Sequence, residues 1–262
     1  MSDSKKKGFG FWQRTLMRID RFVHTIRVTW GDVKCYACEQ DIGPLCKCCA
    51  PDIYPIEGPC CERCGYPFHT STQKALVSAK KTCYFCNKYG IGLDGLKSAV
   101  FFDGAAKKLV INAKFRHRPN ALRYLAKWMV ERIPRDFPTD AVLVPVPLSA
   151  KRKRERGYNQ AEILARHLAF DWDLPLDIQT LYRAKHTQAL SSSDNVLARR
   201  QIIAQAFSTR TDRFKNKTVI LIDDVCTTST TLSACALVCK QAGARSVLAL
   251  TATRGRRPWD SL

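Results

Sequence analysis

Two adjacent carboxylates, Asp223 and Asp224, follow the apolar run Val219-Ile220-Leu221-Ile222 and precede a turn of small hydroxyl residues, Thr227, Thr228, Ser229, Thr230 and Thr231. Carboxylates accept hydrogen bonds from sugar hydroxyls. A hydroxyl-rich turn that opens a helix offers orphan backbone N–H groups and the positive end of the helix dipole, which together hold a phosphate. The combination suits a phosphorylated sugar. Two elements must position it. Residues 219–222 have the continuous aliphatic character of a strand buried on both faces of a parallel sheet, and open α/β sheets bind ligands at the carboxyl ends of such strands. The spacing of Leu232, Ala236 and Leu237, ending near Gly243, supplies the helix.

A second chemistry lies in the thirteen cysteines, ten of them between residues 35 and 86. Four pairs have two-residue spacing, Cys35 with Cys38, Cys46 with Cys49, Cys61 with Cys64 and Cys83 with Cys86, while Cys48 and Cys60 are left over. In a tight knuckle two such sulfurs face one ion, and Gly65 after Cys64 relaxes the turn. Eight ligands are enough for two tetrahedral zinc sites of four thiolates each. Spacing leaves their pairing open: the Cys35 and Cys46 knuckles could join, or interleave with the Cys61 knuckle. His69 is a less specific candidate ligand. The segment lacks long apolar runs, so metal binding would supply most of its folding energy.

The rest of the chain offers strands, helices and cations. Ala99–Phe102 is apolar, and Ala105–Lys114 and Ala121–Ile133 are helix-like, the latter closed by Pro134. Lys114, Phe115, Arg116, His117 and Arg118 form a basic cluster, a pattern that alone marks a solvated face. Ala141–Val144 is a second buried strand running into Pro145-Val146-Pro147-Leu148, an extended turn with few donors of its own. Lys151, Arg152, Lys153, Arg154 and Arg156 then place five cations in six residues before Gly157-Tyr158-Asn159-Gln160. Such density suits pyrophosphate or another polyanion, because arginine forks bind phosphate oxygens in pairs; a solvated charged loop is the plain alternative. Ala161–Ala169 continues as a helix and Ser246–Thr251 as a strand, and the tail cations Arg254, Arg256 and Arg257 are expected in solvent. Residues 1–34 carry Phe11, Trp12, Leu16, Ile19, Phe22, Val23 and Ile26 at near-helical spacing among cations. This is a basic amphipathic helix that would pack on the rest of the protein or lie on an anionic surface.

The order hydrophobic strand, Asp-Asp-Val, one residue, then Thr-Thr-x-x-Thr resembles the phosphoribosyl pyrophosphate (PRPP) motif of type I phosphoribosyltransferases, with Ser229 where that motif usually has glycine. Val144–Leu148, Arg152 and Arg156 through Ala161 resemble the signature of the ComF family (ComFC- and GntX-like proteins), which is similar to type I phosphoribosyltransferases carrying an N-terminal zinc ribbon. The likeness covers nearly all of the chain after residue 34. It implies an α/β fold with a mostly parallel sheet and helices on both faces, plus a small zinc-ribbon module. The division would be residues 1–34, a double zinc ribbon at 35–95 and a phosphoribosyltransferase-like domain at 96–262.

The same resemblance implies PRPP with Mg²⁺ as ligand. Asp223 and Asp224 would hold the ribose 2′- and 3′-hydroxyls, and Val225 and Cys226 through Thr231 the 5′-phosphate. Pro145, Val146, Pro147 and Leu148, with Arg152 and Arg156, would meet the pyrophosphate, and Arg183 and Lys185 would close over it. Residues 181–207 correspond to the family's mobile loop. Arg183 and Thr187 match it, whereas Gln188 falls two places early and Ile202 replaces an asparagine three residues after Arg199; Ser191–Asn195 is small and polar, as a lid would be. The family's link to natural transformation implies a further role, binding single-stranded DNA or a DNA-uptake protein through the zinc module and a basic surface. No residue selects an acceptor for a transfer reaction.

The 262-residue composition is that of a globular protein, with 45% hydrophobic residues. Lysine and arginine number 43 against 23 acidic residues, a formal charge of +20 that favours phosphates, nucleic acid or an anionic membrane surface. Eight thiolates on two divalent ions would take four charges from that excess without changing its sign. The apolar residues near the start are broken by Gln13, Arg14, Arg18, Asp20 and Arg21, unlike a secretory signal, and no apolar stretch approaches the length of a membrane span. The cysteines are therefore expected in a reducing, cytoplasmic setting.

Overall fold

The computed structural model describes residues 15, 17, 18, 34–40, 43–68, 81–184 and 203–257. In chain order the strands are β1 (Gly95–Phe101), β2 (Val142–Pro145), β3 (Leu181–Arg183), β4 (Phe207–Thr209), β5 (Thr218–Cys226) and β6 (Ser246–Arg254). The helices are α1 (Tyr84–Tyr89), α2 (Gly104–Phe115), α3 (Ala121–Arg132), α4 (Ala150–Arg156), α5 (Gln160–Trp172) and α6 (Thr230–Gln241). Four strands form a sheet in the order β1-β6-β5-β2, with every neighbouring pair parallel. β3 and β4 form a separate antiparallel pair.

Successive side chains of a strand point to opposite faces. Leu143, Ile220, Ile222, Leu250 and Ala252 pack with α2, α3 and α5, whereas Val142, Val144, Val219, Leu221, Val247 and Ala249 pack with α6. Both faces are covered, which is why these strands show no polar alternation. The cysteine segments join the same two cores. Cys35, Tyr36, Ala37, Cys46 and Cys49 belong to the α2/α3/α5 side, and Cys61, Cys64, Tyr66, Cys83 and Cys86 to the α6 side. Buried Asn112 of α2 fixes the first knuckle by donating to the carbonyls of Tyr36 (2.7 Å) and Ala37 (3.2 Å). The second knuckle presses on β1: Gly65 has φ +64°, and a Cβ there would lie 2.3 Å from the Leu96 carbonyl oxygen.

Several local expectations are corrected. The dense cations at 151–156 are helical, not a loop, because Ser149 caps α4 by accepting from the Arg152 N–H (3.3 Å) and Gly157 closes it in the left-handed region. Arg116 and Arg118 are not merely solvated; both reach Glu39, at 2.8 and 3.0 Å. The acidic pair lies within β5, which continues through Cys226, since Asp223, Val225 and Cys226 remain paired with Thr251, Thr253 and Arg254. The N-terminal amphipathic segment falls largely outside the described residues, although Thr15, Met17 and Arg18 are helical and Met17 packs on the core. Lys185, Thr187, Gln188, Ser191–Asn195, Arg199, Ile202 and His69 also lie outside them. Among the described residues no helix is long and apolar enough to cross a membrane.

Candidate functional site

The carboxyl end of β5 brings the acidic pair to the start of α6. The two side chains stay close enough for the Asp224 carboxylate to act on Asp223. Asp224 is buried on the α2 side, where Lys114 Nζ lies 2.8 Å from its Oδ2; Asp223 is partly buried on the α6 side, and its Oδ1 accepts from the Asp224 N–H at 2.9 Å. Lys114 thus supplies a countercharge to the pair, in direct contact with Asp224 and acting on Asp223 as well. The chain then turns through Thr227 and Thr228, both exposed, and Thr228 Oγ1 meets Thr230 Oγ1 at 2.9 Å. Ser229 caps α6 at φ 60°, ψ 7°. That is the left-handed conformation glycine adopts without cost, so the structure explains why the related motif has glycine here. Serine is held in it by contacts of its buried hydroxyl with Cys226 Sγ and Arg254 Nη1, both at 3.2 Å.

The pyrophosphate candidates sit at neighbouring strand ends. Pro145 closes β2 opposite Ile222, and the Val146 N–H is committed to the Ile222 carbonyl (2.9 Å). Asn159 caps α5 and donates to the Val146 carbonyl at 3.0 Å, which ties the Pro-Val-Pro turn to the Gly-Tyr-Asn-Gln segment. Arg152 is exposed on α4. Arg156 donates to Gln160 Oε1 (3.2 Å) and lies over the ring of Phe115, an aromatic that is 68% exposed. Arg183 stacks over Phe207, and its buried Nε has no hydrogen-bond partner among the described residues. Burial, then the Arg152 charge, lowers its pKa. A half-buried guanidinium with a covered, spare donor suits an anionic ligand.

The four cysteine pairs resolve into two tetrads in sequence order, Cys35, Cys38, Cys46 and Cys49, then Cys61, Cys64, Cys83 and Cys86; the interleaved alternative is not formed. Within each, all sulfurs lie within 4.8 Å of one another, and Cys38–Cys46 and Cys64–Cys83 stand at 3.7 Å. A tetrahedron with Zn–S bonds of about 2.3 Å has edges of about 3.8 Å. Backbone N–H groups of Cys46 and Cys83 also point at Cys35 Sγ (3.4 Å) and Cys61 Sγ (3.2 Å). The donor sets fit two zinc ions.

Two residues of this region escape sequence reasoning. Lys114 is visible only as one cation of a cluster. Arg254, expected in solvent, is 3% exposed because β6 pairs it in register with Cys226. Burial, then the Asp224 charge, raises the pKa of Asp223 to about 8. Between the unfolded carboxyl value of about 4 and the folded value of about 8 only the folded state holds the proton, so stability falls as pH rises across that interval and levels off above it. Unfolding free energy is expected to fall by about 1 kcal/mol from pH 7 to 9. Urea titrations of the zinc-loaded protein check this, and Asp223→Asn should flatten the slope.

Residues 117–261, more than half of the chain, match the phosphoribosyl transferase domain family, and the chain belongs to that family. Within it the chain resembles two competence proteins. It is 36% identical over 110 residues to Competence protein F of Haemophilus influenzae, covering 40% of this chain and 46% of that protein. It is 27% identical over 198 residues to Competence protein ComFC of Bacillus subtilis, covering 72% and 74%. The chain thus spans about half the length of the first relative and three quarters of the second. Among solved structures, a hypoxanthine phosphoribosyltransferase of Staphylococcus aureus matches at 14% identity and TM-score 0.32, over 51% of this chain and 62% of that one. A purine phosphoribosyltransferase of Pyrococcus horikoshii matches at 16% and 0.29, over 56% and 90%.

Proposed function

We propose that the chain binds PRPP, as its magnesium complex, at the carboxyl end of β5 and acts as a phosphoribosyltransferase. The observation that carries this reading is the juxtaposition at one strand end of the Asp223–Asp224 pair with the exposed hydroxyl turn that opens α6. In this reading the carboxylates accept from the ribose 2′- and 3′-hydroxyls, and the backbone of Cys226–Thr231 takes the 5′-phosphate. The pyrophosphate lies toward Pro145–Leu148, with Arg183 facing it and Arg152 and Arg156 at the rim. Lys185, from the segment outside the described residues, belongs to the same reading. Transfer breaks the bond from C1 to the pyrophosphate oxygen; pyrophosphate leaves with the electron pair, and the acceptor's lone pair bonds to C1 as its proton passes to solvent. The chain presents cations at the leaving group rather than a strong base, so charge stabilisation carries the rate. Calorimetry with PRPP and Mg²⁺ should give one binding event per chain, followed by pyrophosphate release with the right acceptor. A folded, zinc-loaded protein that takes up no PRPP would overturn the reading.

A second reading is favoured by the exposed cations of α4 beside the exposed Phe115 ring under Arg156. In it the fold serves without catalysis to bind single-stranded DNA, or a DNA-uptake partner, through the basic surface and the zinc module. Aromatic faces stack bases, and cations track phosphates. DNA affinity is then expected to fall steeply with salt, by roughly three-hundredfold between 50 and 200 mM for about six phosphate contacts on a single strand. Fluorescence anisotropy with an oligonucleotide reads this directly; affinity indifferent to salt would assign the basic helix another purpose.

A further inference from the structure

Arg254 is a buried cation, and among the described residues no carboxylate ion-pairs with it. Its Nη1 contacts the Ser229 hydroxyl (3.2 Å) and the Cys226 sulfur, its guanidinium lies 5.6 Å from the centre of the Tyr66 ring, and its Nε has no partner among the described residues. Burying an unpaired charge is expensive, and it persists where a ligand brings the opposite sign. The residues Arg254 touches belong to the turn proposed above to hold phosphate. Three residues further on, Arg257 lies on the same Tyr66 ring at 3.9 Å, and its N–H donates to the Tyr66 hydroxyl (2.9 Å). Its Nη2 points at Cys64 Sγ (3.5 Å) and Cys83 Sγ (3.7 Å). Four thiolates around one Zn²⁺ carry a net charge of about −2, which a guanidinium beside two of the sulfurs offsets. Tyr66 is fixed by the knuckle itself, because its carbonyl accepts from the Cys61 N–H at 2.9 Å. Between the arginines, Gly255 donates to the Cys226 carbonyl (2.9 Å), and a Cβ on it would lie 3.3 Å from Thr227 Cγ2, so the strap lies directly on the turn.

We propose that Arg254 is a positioning residue for the phosphate turn, and that Tyr66 and Arg257 couple it to the second cysteine tetrad. Metal bound by Cys61, Cys64, Cys83 and Cys86 then sets how tightly Cys226–Thr231 grips phosphate. This rests on the assignment of that turn to the 5′-phosphate. Ribose 5-phosphate probes the turn, and inorganic pyrophosphate probes the neighbouring strand ends.

The test is calorimetry of both ligands on the full-length, zinc-loaded protein. Arg254→Met should weaken ribose 5-phosphate at least tenfold, leave pyrophosphate within twofold and retain two zinc ions per chain. Arg254→Lys should recover part of the loss. Arg257→Gln should weaken ribose 5-phosphate several-fold with the same selectivity. Coupling between two sites is reciprocal. In cobalt-substituted protein, saturating ribose 5-phosphate should therefore shift the visible thiolate-cobalt bands, and Arg254→Met should remove that shift. Equal weakening of both ligands means a general structural role for Arg254 and overturns the proposal, as does ribose 5-phosphate binding that ignores Arg254, or cobalt bands that ignore the ligand. A wild-type protein that binds pyrophosphate but not ribose 5-phosphate, or neither, overturns the assignment of the turn itself, and the coupling with it.

Discussion

Replacing Asp223 and Asp224 together by alanine is expected to abolish PRPP binding while leaving DNA affinity and zinc content intact. A hydrogen bond to a charged carboxylate contributes about 1.5–3 kcal/mol and one to a neutral carboxyl about 0.5–1.5 kcal/mol, so losing both side chains should cost roughly thirtyfold to two-thousandfold in affinity. The residues are not equivalent. Removing the Asp224 carboxylate also strands Lys114, whose ammonium is 2.8 Å away and mostly covered, so that single change should lower stability as well. Lys114 acts on Asp223 less directly, without an ion-pair contact, and loss of Asp223 should act on the ligand with less cost to the fold. The pair Asp223→Asn and Asp224→Asn keeps the shape and controls for collapse. Calorimetry with PRPP and anisotropy with an oligonucleotide should separate the two functions; loss of both together would contradict the separation, and undiminished PRPP heat would remove the acidic pair from the site.

Stripping zinc is the second large perturbation. A structural zinc site of four thiolates contributes on the order of 10 kcal/mol to folding, comparable with the whole stability of a typical domain. Here the ligands are also core residues, with Cys35, Cys46 and Cys49 packed against one face of the sheet and Cys61, Cys64, Cys83 and Cys86 against the other. Chelation should therefore unfold more than the cysteine segments, and far-ultraviolet circular dichroism should register loss of the α/β core together with the metal. Cys61→Ser should do the same at one site, whereas Cys48→Ser and Cys60→Ser, outside both tetrads, should keep two zinc ions per chain. Chelated protein that keeps its dichroism and melting temperature would show the knuckles to be independent of the core.

The parts legible in the sequence are those whose signal is local. Val219–Ile222, Ala141–Val144 and Ser246–Thr251 announce buried parallel strands because strands covered on both faces need no polar residue, and the acidic pair with its hydroxyl turn is contiguous. Repeated two-residue cysteine spacing announces metal knuckles, yet not which knuckles join, because that depends on where β1, α2 and α6 carry them. Lys114 is more than a hundred residues from Asp224, and only the stacking of α2 against the sheet brings them together. Arg254 misleads for the same reason: a cation in a basic tail looks solvated until strand register places it beside Cys226. The cations at 151–156 hide a helix because arginine and lysine are good helix formers as well as good solvated residues.

The strand order carries a consequence for how the protein is made. β6 is the last strand to leave the ribosome among those described, yet it lies inside the sheet, between β1 and β5. A nascent chain can therefore gather its metal knuckles early, but β1 and β5 keep open edges until residues 246–254 emerge. During that interval the chain is vulnerable to edge-to-edge association, and a stop codon or frameshift before β6 would leave a thiol-rich aggregate instead of a smaller folded protein.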